Sequence, residues 1–143
     1  MVWMLFSCNG SAPVSIQTQV QLDSLRAVIN GLKPGLGEFM MQVEYHHDRM
    51  AAAIGRKDFD RVSYEADELV EVFEKMDQLQ ITNDKLKEPV IVFFKKYIES
   101  PVKAIQAAAE KKNAVTLQTN MQALTNNCNS CHHENNMPFM KIN

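Results

Sequence analysis

Three residues able to react with or bind a cofactor lie together near the end of the sequence, in the run Cys128-Asn129-Ser130-Cys131-His132. The spacing Cys-x-x-Cys-His is the attachment signature of c-type haem. Two intervening residues allow both thiols to reach neighbouring vinyl groups from one helical turn, and each thiol then becomes a thioether. His132 would lie under the porphyrin and offer a ring nitrogen to the iron. The motif therefore predicts one covalently attached haem c, with its iron, per chain.

Three other uses of the cysteine pair fit the sequence less well. A zinc site would use Cys128, Cys131, His132 and His133, but these cluster too tightly, since zinc normally takes two ligand pairs separated by a longer loop. The one further His or Cys pair in the chain is His46-His47. A thioredoxin-like redox pair lies at the start of a helix that follows a strand, whereas Cys128 and Cys131 fall near the end of the last predicted helix. A plain disulfide leaves His132 without a role. Haem attachment is the interpretation that fits both the three residue types and their spacing.

The composition is that of an ordinary globular domain. The chain has 143 residues, enough for one domain with a core, and 45% of them are hydrophobic and 22% charged. The formal net charge of -2 gives no indication of a surface for nucleic acid. After residue 30 no strand-like alternation persists, and four segments instead carry helical periodicity.

The first two predicted helices each have one apolar stripe in steps of three and four residues. The first follows Pro34-Gly35 and has Gly55 near its end, and its stripe is Leu36, Met40, Val43, His47, Met50 and Ile54. The second begins at Asp58, a suitable N-cap residue, and its stripe is Phe59, Val62, Ala66, Leu69, Phe73 and Met76. We expect its other face to be solvated: Asp60, Arg61, Glu65, Asp67, Glu68, Glu71, Glu74 and Lys75.

The third predicted helix follows a turn at Asn83-Asp84 and ends at 111–113. Its apolar residues are Leu86, Val90, Phe93, Tyr97, Ala104 and Ala108. Pro89 falls in the first turns, where proline is tolerated. Pro101 lies inside the helix and should kink it.

The fourth predicted helix begins around Ala114 and should stop before Pro138. Its stripe is Leu117, Met121, Leu124, Cys128 and Cys131, so the cysteine pair continues the buried face. Residues 16–32 have weaker helical spacing and predict a short leading helix or ordered arm. Short loops between four amphipathic helices predict an all-α fold, an antiparallel up-down-up-down four-helix bundle. The haem domain is then residues 16–143.

The first fifteen residues predict a truncated signal or lipoprotein-like leader and a tether. The apolar run Met1–Ser7 is too short to span a bilayer, and it lacks a basic n-region because the first Lys or Arg is Arg26. Leu5-Phe6-Ser7-Cys8 resembles a bacterial lipobox, although its Phe fits that pattern poorly. A lipidated Cys8 would anchor the protein to a membrane; the alternative is a fortuitous cysteine. Haem attachment to this motif takes place outside the bacterial cytoplasmic membrane, so we expect an exported, periplasmic protein.

The chain resembles the cytochrome c′ family and its six-coordinate, Met-ligated relatives. The resemblance covers about 110 residues from Gly31 onward, and its specific part is Cys128–His132 near the end of the last helix. It implies that the sixth iron position faces the first helix, where a Met gives six-coordinate iron and an apolar residue gives a gas-binding site. Members often form homodimers through their first helices. The paired His46-His47 and the Met-rich first helix depart from the c′ pattern.

Helix direction narrows the choice of sixth ligand. In an antiparallel bundle the end of the fourth helix faces the start of the first, where Met40 lies on the inner stripe. His47 lies on the same stripe but roughly 10 Å deeper. Met40 is therefore the favoured ligand, His47 is an alternative ligand or a haem-edge contact, and an open iron remains a third possibility. His46 should point off the stripe and His133 into solvent. The expected haem-edge residues are Phe39, Val43, Phe73, Met121 and Leu124.

The sequence contains no catalytic constellation, P-loop or dinucleotide fingerprint, so we do not expect an enzyme. The first functional hypothesis is single-electron transfer with redox partner proteins that the sequence does not identify. The second is a five-coordinate haem protein that binds NO or CO. The third is a helical structural or metal-binding protein without haem.

Overall fold

The computed structural model describes residues 15–143, and the described residues form helices, turns and loops without a strand. The helices are α1 (Ile16–Leu32), α2 (Leu36–Arg56), α3 (Phe59–Gln78), α4 (Val90–Phe93), a π-helical turn (Phe94–Ile98), α5 (Glu99–Glu110) and α6 (Ala114–Glu134). The all-α expectation is confirmed. The predicted leader and the lipobox cysteine Cys8 lie outside the described residues.

The chain divides into two compact units, residues 1–33 and 34–143. In the described part of the first unit, residues 16–32 form a helix, the first of the two predicted alternatives. Ser15 caps this helix, because its hydroxyl accepts a hydrogen bond from the Thr18 amide. No helix among residues 15–143 is long and apolar enough to cross a membrane.

In the second unit, α2 and α3 begin where the sequence predicts, directly after Gly35 and Asp58. Glu38 accepts a hydrogen bond from the Gly35 amide at 2.7 Å, and Asp58 accepts one from the Arg61 amide at 3.2 Å. The predicted stripes are buried except at Met40 and Phe59, which are half-buried. These stripes supply much of the apolar core.

Glu65 corrects the expectation that the outer face of α3 is wholly solvated. Its side chain is fully buried. The carboxylate accepts hydrogen bonds from His46 and Arg49 of α2, both at 2.7 Å, and pairs with Arg61 at 2.5 Å. A buried carboxylate is tolerated where cationic and hydrogen-bonding partners replace water. His46 thus points off the inner stripe, as predicted, and toward α3.

The third predicted helix consists of α4, the π-helical turn and α5, and it begins later than the sequence indicated. The Leu86 amide donates to the Asn83 carbonyl in a turn, and Pro89 immediately precedes α4 rather than lying within a helix. Proline disfavours helical geometry in the residue before it, which explains the late start.

The irregular turn Phe94–Ile98 lies just before Pro101, where the sequence predicted a kink. Proline has no amide hydrogen, so it cannot donate to the carbonyl four residues earlier, that of Tyr97. The side chain of Asn127 on α6 donates to this carbonyl at 2.8 Å. The Tyr97 carbonyl that the proline leaves without a helical partner therefore forms a hydrogen bond to α6.

The core of the second unit lies between α2, α3, α5 and α6. Helix α2 contacts α3 and α6, α3 contacts α5, and α5 contacts α6. Helix α6 begins after Asn113, whose side chain accepts from the Thr116 amide, and it ends before Pro138 as predicted. Its stripe brings Cys128 and Cys131 to the inner side of the unit.

Candidate functional site

The two cysteines of the motif lie one helical turn apart on α6, and both line a cavity of about 290 Å³. Cys128 is buried and Cys131 is half-buried. Both thiols are free. Their separation by three residues places them on the same side of the helix.

The cavity is walled mainly by apolar side chains from several parts of the second unit. Its residues are Leu36, Met40, Val43, Glu44, Phe73, Leu86, Val90, Phe93, Ile98, Cys128, Cys131, His132, Asn135, Met137, Phe139, Met140, Lys141 and Ile142. Its volume is near the lower end of the roughly 300–1,000 Å³ typical of ligand sites. A largely apolar cavity with a few convergent polar groups is the usual form of a cofactor site.

Four of the five predicted site residues meet at this cavity. Met40 near the start of α2 and His132 near the end of α6 both line it, together with Cys128 and Cys131. Val43 and Phe73, two of the expected haem-edge residues, line it as well. The other three, Phe39, Met121 and Leu124, are buried in the core and do not line it.

His47, the alternative ligand, does not line the cavity. Its side chain is 1% exposed. Nε2 lies 2.8 Å from the Thr125 hydroxyl of α6, and Nδ1 lies 3.1 Å from the Asp48 carboxylate. Both ring nitrogens thus have partners within the protein. His133 is exposed, as expected.

The ring of His132 is held by the backbone that follows α6. Its Nδ1 atom lies 2.6 Å from the carbonyl oxygen of Met140. A carbonyl oxygen can only accept, so Nδ1 carries the hydrogen and donates it. In the neutral ring the lone pair of Nε2 is then free for another partner. This is the arrangement by which a histidine presents Nε2 to a metal.

The segment 137–142 returns along α6, a course that no sequence pattern predicts. The Met137 amide donates to the His132 carbonyl at 2.8 Å. The side chain of Asn129 donates to the Ile142 carbonyl and accepts from the Ile142 amide, both at 2.9 Å. The sequence of this segment has no periodic pattern that would predict its path. The one feature that could have indicated it is the amide side chain of Asn129 inside the motif.

Asn135, which the sequence analysis also missed, joins the end of α6 to the loop before α4. It is 1% exposed. Its amide donates to the Cys131 carbonyl at 2.9 Å, and its oxygen accepts from the Lys87 amide at 3.1 Å. Leu86 of this loop and Val90 at the start of α4 line the cavity, so Asn135 fixes part of the cavity wall.

Glu134 connects the same end of α6 to the π-helical turn. Its carboxylate accepts hydrogen bonds from the Tyr97 hydroxyl and, at 2.7 Å, from the Lys96 ammonium. These hydrogen bonds lower the pKa of Glu134 and raise the pKa of Tyr97. A charged carboxylate and a protonated phenol therefore lie beside the cavity.

Burial controls the acidity of the two thiols. It raises the pKa of Cys128 to about 12 and that of Cys131 to about 11, with smaller contributions from Cys131 to the former and Glu134 to the latter. A reactive redox pair needs a lowered thiol pKa. The thiols are protonated near neutral pH, which is unlike a thioredoxin-type pair.

Among residues 15–143, no group of three or more His, Cys, Asp or Glu side chains is arranged to hold a metal ion. Comparison of the chain with protein-family models, with curated proteins and with solved structures finds no match.

Proposed function

We propose that this protein is an exported c-type cytochrome that carries one covalent haem and transfers single electrons. The observation that carries the proposal is the position of His132: it lines the same cavity as Cys128 and Cys131, and its Nδ1 atom is 2.6 Å from the Met140 carbonyl oxygen, which leaves Nε2 for a metal. The Met140 carbonyl selects the tautomer that an iron-ligating histidine needs. The rival zinc site would need ligands grouped around one ion, and residues 15–143 contain no such group of three or more His, Cys, Asp or Glu side chains.

The residues at the cavity fit a haem group. Cys128 and Cys131 would hold it through thioethers, and His132 would offer Nε2 to its iron. The apolar wall suits a porphyrin, and both cysteines are free, so each S–H group is available for addition across a vinyl double bond. When bound, the haem supplies a one-electron couple at its iron.

We assign the sixth iron ligand to Met40. It lines the same cavity as His132, whereas His47 lies off the cavity with both ring nitrogens hydrogen-bonded. A thioether sulfur on one side and an imidazole on the other is the ligand set of electron-carrying cytochromes c. Such a pair holds the iron in both redox states, which suits electron transfer.

The contacts between helices support a cytochrome c′-like four-helix bundle. The pairs α2–α3, α3–α5, α5–α6 and α2–α6 form a closed ring of neighbours. Met40 belongs to the first turns of α2 and His132 to the last turns of α6, yet both line one cavity. An up-down-up-down order, in which the first and last helices are antiparallel, explains why Met40 and His132 line the same cavity.

Absorption spectra test the function. The protein is expressed in a host that has c-type maturation machinery, and spectra of both redox states are recorded with and without carbon monoxide. We expect low-spin spectra that carbon monoxide leaves unchanged. A high-spin reduced form that binds carbon monoxide would overturn electron transfer through Met40 and favour the gas-binding alternative.

Two methionine variants assign the ligand. Met40→Ala should give a high-spin reduced iron that binds carbon monoxide. Met41→Ala is the matched control, because Met41 is adjacent but 63% exposed and does not line the cavity; its spectra should equal those of the wild type. Unchanged spectra for Met40→Ala would contradict the assignment.

The proposed location follows from the proposed chemistry, since haem attachment to this motif requires export. Cys8 is the proposed lipid anchor. Cell fractionation should find the protein in the periplasm or on a membrane, and Cys8→Ser should release it from the membrane fraction. Recovery of haem-loaded protein from the cytoplasm would overturn the proposal of export.

A further inference from the structure

We propose that Asn129, the first of the two intervening residues in the motif, is a positioning residue that fixes the imidazole of His132 through the segment 137–142. Asn129 does not contact His132 through its side chain; it binds the backbone of Ile142. The effect on the iron rests on the proposed haem function, whereas the effect on the His132 ring does not.

The contacts form a continuous path from Asn129 to His132. Asn129 holds both backbone groups of Ile142, two residues beyond Met140. On the other side, the Met137 amide donates to the His132 carbonyl, and the Met140 amide donates to the Met137 carbonyl at 3.0 Å. The Met140 carbonyl is thus restrained from both ends, at 2.6 Å from Nδ1 of His132.

The amide side chain of Asn129 satisfies both backbone groups of Ile142. It has one donor and one acceptor group, whereas a carboxylate only accepts and an apolar side chain does neither. The second intervening residue has no such role, because the Ser130 hydroxyl is exposed and donates to the Asn126 carbonyl of its own helix at 2.8 Å. The two variable positions of the motif therefore differ in function.

Two consequences follow for His132. The hydrogen bond from Nδ1 to a fixed carbonyl sets the tautomer and the ring orientation. It also makes the imidazole a stronger donor to a metal at Nε2, as outer hydrogen-bond partners of metal-bound histidines do. A substitution that frees the segment 137–142 should weaken both effects without altering either proposed iron ligand.

The first experiment uses the full chain prepared without haem. Nitrogen-15 NMR at about pH 8.5, where imidazole is neutral, identifies which ring nitrogen of His132 carries the hydrogen. We expect the Nδ1–H tautomer in the wild type and in Ser130→Ala, and a mixture of tautomers in Asn129→Ala. Retention of the single Nδ1–H tautomer in Asn129→Ala would overturn the proposal.

A double-mutant cycle tests whether Asn129 acts through Ile142. Ile142→Pro removes the amide hydrogen that Asn129 accepts. The double variant Asn129→Ala/Ile142→Pro should change the tautomer ratio no further than the larger of the two single changes. Additive changes would mean that Asn129 acts on His132 by another route. Far-ultraviolet circular dichroism identifies a variant that fails to fold, and Asn129→Asp, which keeps only the acceptor, then replaces Asn129→Ala.

The second experiment uses the haem-loaded protein. Asn129→Ala should raise the reduction potential and speed exchange of the His132 Nδ1 hydrogen about tenfold, the effect of one lost hydrogen bond. Ser130→Ala should leave both unchanged. If the chain acquires no haem, the proposed function fails while the tautomer experiment still tests Asn129. If haem is present and neither quantity moves, the positioning role fails while the proposed function stands.

Discussion

The Nε2 atom of His47 lies 2.8 Å from the hydroxyl oxygen of Thr125, inside the core between α2 and α6. The Thr125 hydroxyl also lies 3.1 Å from the Met121 carbonyl of its own helix. The contact joins the two helices that contribute Met40 and His132 to the cavity. His47, which the sequence suggested as an alternative ligand, therefore links these two helices.

We expect His47→Ala to lower the free energy of unfolding by about 2–3 kcal/mol, because it leaves a cavity and removes a buried hydrogen bond. Urea denaturation followed by circular dichroism measures the change. Asp48→Ala is the control: its carboxylate is largely exposed, and the change should stay within about 0.5 kcal/mol. The haem spectra of His47→Ala should equal those of the wild type. Loss of the low-spin spectrum would instead make His47 a ligand.

Glu65→Gln should destabilise the protein at neutral pH and much less in acid. Burial raises the pKa of Glu65, but hydrogen bonds from His46, Arg49 and Arg61 outweigh it and lower the pKa below its ordinary value. A carboxyl of this kind stabilises the fold above its unfolded pKa of about 4.3, and the contribution is lost as pH falls through the lower folded pKa. We expect Glu65→Gln to lower the free energy of unfolding by about 2 kcal/mol at pH 7. The loss is moderate because Arg49 and Arg61 partly face solvent, which screens their interaction with the carboxylate.

Urea unfolding of wild type and Glu65→Gln at about pH 7 and pH 3 measures this dependence. Glu71→Gln is the control, because Glu71 is exposed and pairs only with Lys75 one turn away; its effect should be below about 0.5 kcal/mol. An equal loss for Glu65→Gln at both pH values would show that the carboxylate charge is not what stabilises the cluster.

Much of the helical framework was predictable from local sequence, because caps and periodicity are local properties. Helices α2, α3 and α6 begin directly after Gly35, Asp58 and Asn113. The burial of Glu65 was not predictable, since its partners His46 and Arg49 are on another helix. The pattern of α3 alone assigns any charged residue to solvent.

The candidate site was predictable only in part. The motif identified Cys128, Cys131 and His132. Met40 followed from helix direction, because the start of the first helix was expected to face the end of the fourth. The course of 137–142 and the buried position of Asn135 depend on hydrogen bonds between side-chain amides and backbone groups that are distant in the sequence. Such bonds leave no periodic signal, so the residues that orient His132 emerge only from the structure.

The thiols should react slowly in the folded, haem-free chain. In a Cys8→Ser background at about pH 8, we expect Cys128 and Cys131 to be alkylated by iodoacetamide about 100-fold or more slowly than in urea, because burial raises their pKa values to about 12 and 11. Peptide mass spectrometry over time measures each site. Equal rates with and without urea would indicate an exposed, reactive pair and a redox function.

Asn135→Ala should lower the free energy of unfolding by about 1–3 kcal/mol, because Asn135 is buried and its loss leaves the Lys87 amide and the Cys131 carbonyl without these hydrogen bonds. Thermal and urea unfolding measure it. Asn136→Gly is the matched control: Asn136 is exposed with a φ of 60°, which glycine adopts without strain, so stability should hold or rise slightly. Equal stability for wild type and Asn135→Ala would contradict the linking role of Asn135.

The mass of the unfolded chain tests covalent haem attachment most directly. The protein is expressed with c-type maturation machinery, unfolded in denaturant and separated from any loosely bound haem before mass spectrometry. We predict that the wild type retains the mass of one haem and that Cys128→Ser/Cys131→Ser does not. A wild-type chain with the mass of the polypeptide alone, made where a known c-type cytochrome matures normally, would contradict the proposed function.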